Sequence, residues 1–219
     1  MFIAIVPAYN EEKRIASVVK SLRAHVDEVV VVDDCSTDDT ARIAGKLGAT
    51  VLSHGVNLGQ GASLETGHEY ARKKQADYVL HFDGDEQFDV ADIVPALEKL
   101  QTTHKDILFG SRFLDNRSNM PFFKRHILLP VGRMVNILFA SIPLRDAQNG
   151  FRILNAHALD MIHISQNRMA HATEIMSLVK KYDLTYIEFP VKVYYHEYGQ
   201  AMSGGFRIMR DLVVGKFVK

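Results

Sequence analysis

The stretch Tyr78-Val79-Leu80-His81-Phe82-Asp83-Gly84-Asp85-Glu86-Gln87 decides how this chain is read. Its first residues form a short apolar run, the pattern of a strand buried on both faces. Two carboxylates, Asp83 and Asp85, then stand two positions apart just past the strand end. That spacing puts hard oxygen donors on one turn. Mg²⁺ and Mn²⁺ favour such donors and share them with a substrate's phosphates. An acidic turn by itself is usually only solvated, so its surroundings decide. A second strand-like run, Val29-Val30-Val31-Val32, ends in a second acidic pair, Asp33-Asp34.

Working outward, strand and helix patterns alternate. Phe2 to Val6 is a continuous apolar run closed by Pro7, which predicts a first buried strand. Ile15, Val18, Val19 and Leu22 repeat at helical spacing. Glu28 to Val32 predicts the second strand. A helix follows toward Gly48, with Ser36 and Thr37 as hydroxyl caps and Asp38-Asp39 at its positive end. Thr50 to Leu52, Tyr78 to Phe82 and Ile107 to Gly110 predict three more strands. Gly59 to Lys74 and the Ile93, Leu97, Leu100 repeat predict two more helices. Such alternation means an α/β fold with a mainly parallel central sheet flanked by helices. In such sheets ligands bind beyond the carboxyl ends of the strands. One crevice would therefore collect Ala8 to Glu11, Asp33-Asp34, His54 to Asn57 and Asp83 to Asp85.

The 219 residues are enough for one domain with a full core. The 26 basic and 26 acidic side chains cancel, which excludes a dominant basic footprint and argues against a nucleic-acid partner. Cys35 is the only cysteine, so neither an intrachain disulfide nor a cysteine zinc site is available. That fits a reducing, cytoplasmic setting. Met1 to Val6 is too short for a signal peptide and lacks a basic leader. No run reaches the roughly 18 apolar residues of a membrane span.

After residue 111 the pattern changes. Ser111 to Pro121 is polar and loop-like. Phe122 to Leu144 is apolar but carries Lys124, Arg125 and Arg133, so it reads either as a buried helix or as one lying on a membrane surface. Thr185 to Phe189 and Val191 to Tyr195 are strand-like. The chain is thus expected to be a single domain, 1–219. Residues 1–111 would be its nucleotide-sugar half, and 112–219 its acceptor-binding and membrane-associating half.

Several motifs stand in order: Val6-Pro7-Ala8-Tyr9-Asn10-Glu11, Val31-Val32-Asp33-Asp34-Cys35-Ser36-Thr37-Asp38, Asn57-Leu58-Gly59-Gln60-Gly61 and the Asp83 to Gln87 turn. Gly110-Ser111-Arg112-Phe113, Asp146-Ala147-Gln148-Asn149-Gly150-Phe151-Arg152 and Glu188-Phe189-Pro190-Val191 follow. Together they resemble the inverting family 2 glycosyltransferases of GT-A fold. The later ones resemble the branch of dolichol-phosphate mannosyltransferase and the polyprenyl-phosphate glycosyltransferases. One departure is plain: the Arg-x-x-Gly-x-Ser-Lys stretch of that branch is absent from Tyr195 to Gly204. A loop closing over the diphosphate would have to use His196 or Arg207.

The resemblance implies roles. Pro7, Tyr9 and Glu11 would line the nucleotide pocket, and Asp34, with Asp33 beside it, would recognise the base or ribose. Asp83, Asp85 and Gln87 would hold Mg²⁺ or Mn²⁺ and, through it, the diphosphate. Arg112 and Arg125 would bind the acceptor phosphate, and Glu174 would stand near the acceptor. The implied reaction moves a sugar from a nucleotide diphosphate to a polyprenyl phosphate at the cytoplasmic membrane face, with a membrane surface or a small membrane protein as partner. A lipid phosphate is already an anion and needs positioning and charge neutralisation, which the Arg fork supplies. An alcohol acceptor, as in glycan synthesis, would need a proton acceptor, with Glu174 or Asp146 as candidates. A silent nucleotide-sugar-binding scaffold is the reading from another class. Gly59-Gln60-Gly61 lacks a phosphate-binding fingerprint and reads mainly as backbone packing.

Overall fold

The computed structural model describes residues 1–115, 117, 142–168 and 170–194. At its centre lies β1 (Phe2–Ala8), the continuous apolar run. It pairs in parallel with β2 (Glu28–Asp33) on one side and β4 (Tyr78–His81) on the other. β3 (Thr50–Ser53) flanks β2 in parallel. Beyond β4 lie β6 (Arg152–Asn155), β5 (Ile107–Ser111) and β7 (Tyr186–Pro190), giving the order β3-β2-β1-β4-β6-β5-β7. β6 is antiparallel to both its neighbours, and β5 and β7 pair in parallel.

Alternation along the central strands sends side chains to two cores. Ala4, Val6, Val29, Val31 and Leu80 face α1 (Ile15–Leu22), α2 (Thr40–Lys46) and α4 (Ile93–Thr103), meeting Val19, Leu22, Ala44 and Ala96. Ile3, Ile5, Val30, Val32 and Val79 face the opposite layer. That layer consists of α3 (Gln60–Lys73), α5 (Ala156–Met161) and α6 (His171–Lys181). Burial on both faces explains why these strands read as unbroken apolar runs. The periodic residues Ile15, Val18, Val19 and Leu22 are all buried, as helical spacing predicts.

Three expectations change. The cap of α2 comes from Asp38, whose Oδ1 accepts from Thr40 N at 3.0 Å. Ser36 Oγ instead accepts from Asn10 N at 2.9 Å, tying the loop after β2 to the turn after β1. Residues 191–194 form no full strand. Val193 makes a single bridge to Phe88, and Tyr194 N donates to Gln87 O at 2.8 Å. Finally, β6, α5 and α6 did not stand out in the sequence. Most of Phe122 to Leu144, including Arg125, lies outside the described residues, as do His196 and Arg207. Among the described residues no helix is long and apolar enough to cross a membrane.

Candidate active site

The parallel strands β1 to β5 all end at one edge of the sheet, and antiparallel β6 begins there. Asp83 follows β4, and Gly150 and Phe151 lead into β6 beside it. A Cβ placed on Gly150 would lie 2.3 Å from Asp83 Oδ2, so only glycine leaves that carboxylate its position. Gln60, the first residue of α3, donates from Nε2 to Asp83 Oδ1 at 2.8 Å. Asp85 Oδ1 accepts from Gln87 N at 3.1 Å and closes the acidic turn. Glu86 sits in the left-handed region at φ 61° and lets the turn reverse tightly.

Burial and the neighbouring Asp85 push the Asp83 carboxyl up to about 7. Burial thus disfavours the charged carboxylate, and Asp85 beside it adds a like charge, against which Arg152 and Arg112 act. A divalent cation would relieve that repulsion, and the oxygen donors suit Mg²⁺ or Mn²⁺. Among the described residues there is no group of three or more His, Cys, Asp or Glu that could hold a metal ion. A site of two carboxylates leaves coordination positions for a substrate's phosphates.

Beneath this turn lies a buried polar cluster. Arg152 is 1% exposed, opposite His81 on β4 and Phe109 on β5. Its Nε and Nη1 make no hydrogen bond among the described residues. Burial pushes the guanidinium down to about 10, opposed by the charges of Asp83 and Asp146, so it stays cationic at neutral pH. His68 and His81 approach at 2.7 Å between their Nε2 atoms. Burial lowers both imidazoles, and Arg152 and its neighbours push His81 lower still. Both are therefore neutral, with one Nε2–H donating to the other. His171 is pushed down to about 4, first by burial and then by Arg152.

The two acids that follow the apolar run of β2 differ. Asp34 has both oxygens engaged: His54 Nδ1 and Leu58 N donate to Oδ1 at 2.8 Å, and Gly59 N to Oδ2 at 2.7 Å. It is committed to holding the loop before α3, because a carboxylate answers backbone N–H groups strongly. Asp33 is buried, and its Oδ1 has no partner among the described residues. Pro7 and Tyr9 stand at the end of β1, with Tyr9 49% exposed. Glu11 pairs with Arg14 at 2.8 Å, and its N donates to Thr40 Oγ1.

On the other side of β6, Arg112 grips Asp146. Nε donates to Oδ2 and Nη2 to Oδ1, both at 2.7 Å, and Asn149 Nδ2 adds a donor to Oδ2 at 3.1 Å. Glu174 accepts from Ser165 N and Gln166 N, the latter at 2.8 Å, so it closes the loop before α6. Both acids offered as a base therefore also have a structural task, Asp146 in the Arg112 pair and Glu174 in the loop before α6. Glu188 is half-buried, with burial raising its carboxyl, and accepts from Arg145 N at 2.8 Å.

His54 was expected in the crevice without a role of its own. Gln60, Arg152 and Glu188 stood inside the Asn57, Asp146 and Glu188 motifs, again with no role assigned to them. The phosphate-loop alternative for Gly59-Gln60-Gly61 also fails structurally. Gly61 N and Ala62 N donate to Asn167 O, at 2.8 and 3.2 Å, and are not turned toward a phosphate.

Comparison with known proteins agrees with this arrangement. The profile described as Glycosyl transferase family 2 matches residues 3–162. An uncharacterised protein of Methanocaldococcus jannaschii is 32% identical over 97% of this chain and 90% of its own. The UDP-N-acetylglucosamine–dolichyl-phosphate N-acetylglucosaminyltransferase of Methanococcus voltae is 29% identical over 98% of this chain and 96% of its own. Glucosyl-3-phosphoglycerate synthase of Mycobacterium tuberculosis, in complex with UDP, superposes with a TM-score of 0.74 at 19% identity, covering 97% of this chain and 77% of its own. A further structure of that synthase holds Mn²⁺ with UDP-glucose and phosphoglyceric acid. The sheet order, the acidic turn and the span of the profile converge: this chain belongs to glycosyl transferase family 2, has the GT-A fold, and is a glycosyltransferase.

Proposed function

We propose that the enzyme transfers a sugar, with inversion and with a divalent cation, from a nucleotide diphosphate to a polyprenyl phosphate. One observation carries the acceptor class: the Arg112 guanidinium at the end of β5, held in place by Asp146, suits an acceptor that is already an anion. An acceptor that arrives ionised needs no base. The name of the Methanococcus voltae relative points the same way.

In this reading Asp83 and Asp85 hold Mg²⁺ or Mn²⁺, with Gln87 beside them, and the cation would act as a Lewis acid on the leaving diphosphate. Tyr9, Pro7 and Glu11 border the nucleoside. Asp34, which holds the loop before α3, and Asp33 beside it serve the base or ribose side. Arg112, oriented by Asp146, and Arg125 neutralise the acceptor phosphate. A lipid acceptor brings the enzyme to the cytoplasmic membrane face, through the Phe122 to Leu144 segment or a small membrane-protein partner. Residues 1–111 thus serve the donor and 112–219 the acceptor.

The test is a screen of nucleotide sugars with polyprenyl phosphate, with and without a chelator, reading product anomers by NMR. Transfer lost on chelation, with the anomeric configuration inverted, is the expected result. Efficient glycosylation of a soluble glycan, with polyprenyl phosphate ignored, would replace this reading with an alcohol acceptor. Glu188, with its raised carboxyl beside Asp146, would then be the base to examine first.

A further inference from the structure

Gln60 touches Asp83 from a turn held on both sides. Before it, Leu58 N and Gly59 N donate to the Asp34 carboxylate. After it, Gly61 N and Ala62 N donate to Asn167 O. The seat is tight. Gly59 has φ +96°, and a Cβ there would lie 2.6 Å from Asn167 O; a Cβ at Gly61 would lie 1.9 Å from Gln166 O. The side chain between these two glycines therefore leaves a backbone with little freedom to move. It delivers Nε2 to Asp83 Oδ1 at 2.8 Å, and no other described residue donates a hydrogen bond to Asp83.

We propose that Gln60 is a positioning residue for Asp83, fixing one carboxylate oxygen so that the other is presented to the cation. The inference rests on the reading of Asp83 as a cation ligand. A carboxylate turns easily about its last bond, whose torsional preference is broad. One donor on Oδ1 removes that freedom. An amide does so without charge, whereas a Lys or Arg in its place would repel the cation it is meant to help. Gly150 complements the grip by leaving Oδ2 the space that any side chain would fill. Asp34 belongs to the same device. It anchors the turn from which Gln60 reaches, and so links the nucleotide side of the crevice to the metal side.

Hydrogen-bond partners of ligating groups typically change metal affinity by about ten- to a hundredfold when removed. The experiment is a Mn²⁺ titration followed by the EPR signal of free Mn²⁺, with no sugar nucleotide present. The proteins are wild type, Asp85→Asn, Gln60→Leu and Gln60→Asn. Gln60→Leu removes the donor at similar volume. Gln60→Asn keeps an amide one methylene too short, and carries the test if the leucine variant does not fold. Both should bind Mn²⁺ about tenfold or more weakly than wild type, with metal-free melting temperatures only a few degrees changed. A dissociation constant within about twofold of wild type in folded Gln60 variants, while Asp85→Asn loses binding, overturns the role of Gln60 and leaves the cation site standing. Wild type that binds no Mn²⁺ overturns the cation reading itself, and this inference with it.

Discussion

In the proposed reading the chemistry of the crevice turns on Asp83, whose carboxyl is raised to about 7 by burial and by Asp85. The sign of its effect on stability follows from linkage. A folded-state value above the ordinary 3.8 means that the metal-free fold holds this proton more tightly than the unfolded chain does. Its contribution is therefore best in acid and declines as pH rises from about 4 to about 7, after which it is level. Asp83→Asn removes that dependence. Melting curves without metal should show the variant gaining on wild type through this window, and a constant difference would count against it. A cation must displace the same proton, so Mn²⁺ affinity should climb with pH up to about 7 and then flatten. Asp85→Asn should leave the fold intact and slow transfer by orders of magnitude. Losing ~4 kcal/mol of transition-state stabilisation is roughly a thousandfold in rate. Turnover near wild type at saturating metal would remove Asp85 from the site.

The loop between β3 and α3 shows how one carboxylate can organise an element. Asp34 gathers His54, Leu58 and Gly59, and His54 Nε2 reaches Thr66 Oγ1 at 2.9 Å within α3. Asp34→Ala removes these contacts together, so melting temperature and donor affinity should fall in concert. Asp33→Asn should behave differently. Its open Oδ1 serves no described neighbour, so calorimetry with a panel of nucleoside diphosphates should show weaker binding with little change in melting temperature. If the two variants lose stability and affinity in the same proportion, Asp33 is structural as well. The tight seat of α3 gives a purely packing prediction. Gly61→Ala would drive its Cβ into Gln166 O, and overpacking of this kind costs roughly 1–3 kcal/mol in a chemical melt.

At the scale of the molecule, β6 divides the crevice. Asp83 lies on its β4 side, and Asp146 with Arg112 at the β5 end. Arg152 is buried between the two acids that oppose its charge loss. In the proposed reading this one strand joins the donor half to the acceptor half. Arg112→Ala should raise the polyprenyl phosphate requirement by about ten- to a hundredfold, since a charge-assisted contact is worth roughly 1.5–3 kcal/mol. Donor affinity should change much less. Equal losses for donor and acceptor would mean that Arg112 only braces Asp146. Binding to vesicles carrying polyprenyl phosphate, and its reduction by polar substitutions in the Phe122 to Leu144 segment, would test the membrane-face reading. Vesicle binding unaffected by those substitutions would point instead to a membrane-protein partner.

What the sequence by itself determined is the parallel half of the sheet and the place of its crevice. Strands buried on both faces must be continuously apolar, and Phe2 to Val6 and Val29 to Val32 announce this locally. Helices on their surfaces must repeat at 3.6 residues, and Ile15, Val18, Val19 and Leu22 do. The acidic turns stand beside those runs, so Asp33, Asp34, Asp83 and Asp85 could be assigned to one edge without coordinates. Only the tertiary structure decided the rest. β6 opens on Arg152, whose burial is tolerable only beside Asp83 and Asp146, two acids brought to it by other elements. Asp33 and Asp34 are neighbours in one acidic pair, yet one carboxylate is saturated and the other open. That difference arises because backbone N–H groups some 24 residues further on arrive at Asp34 alone. Gln60 carries no chemical mark of its role in the sequence. Its meaning comes from a hydrogen bond across 23 residues, and such pairings depend on where the folded sheet sets its strand ends.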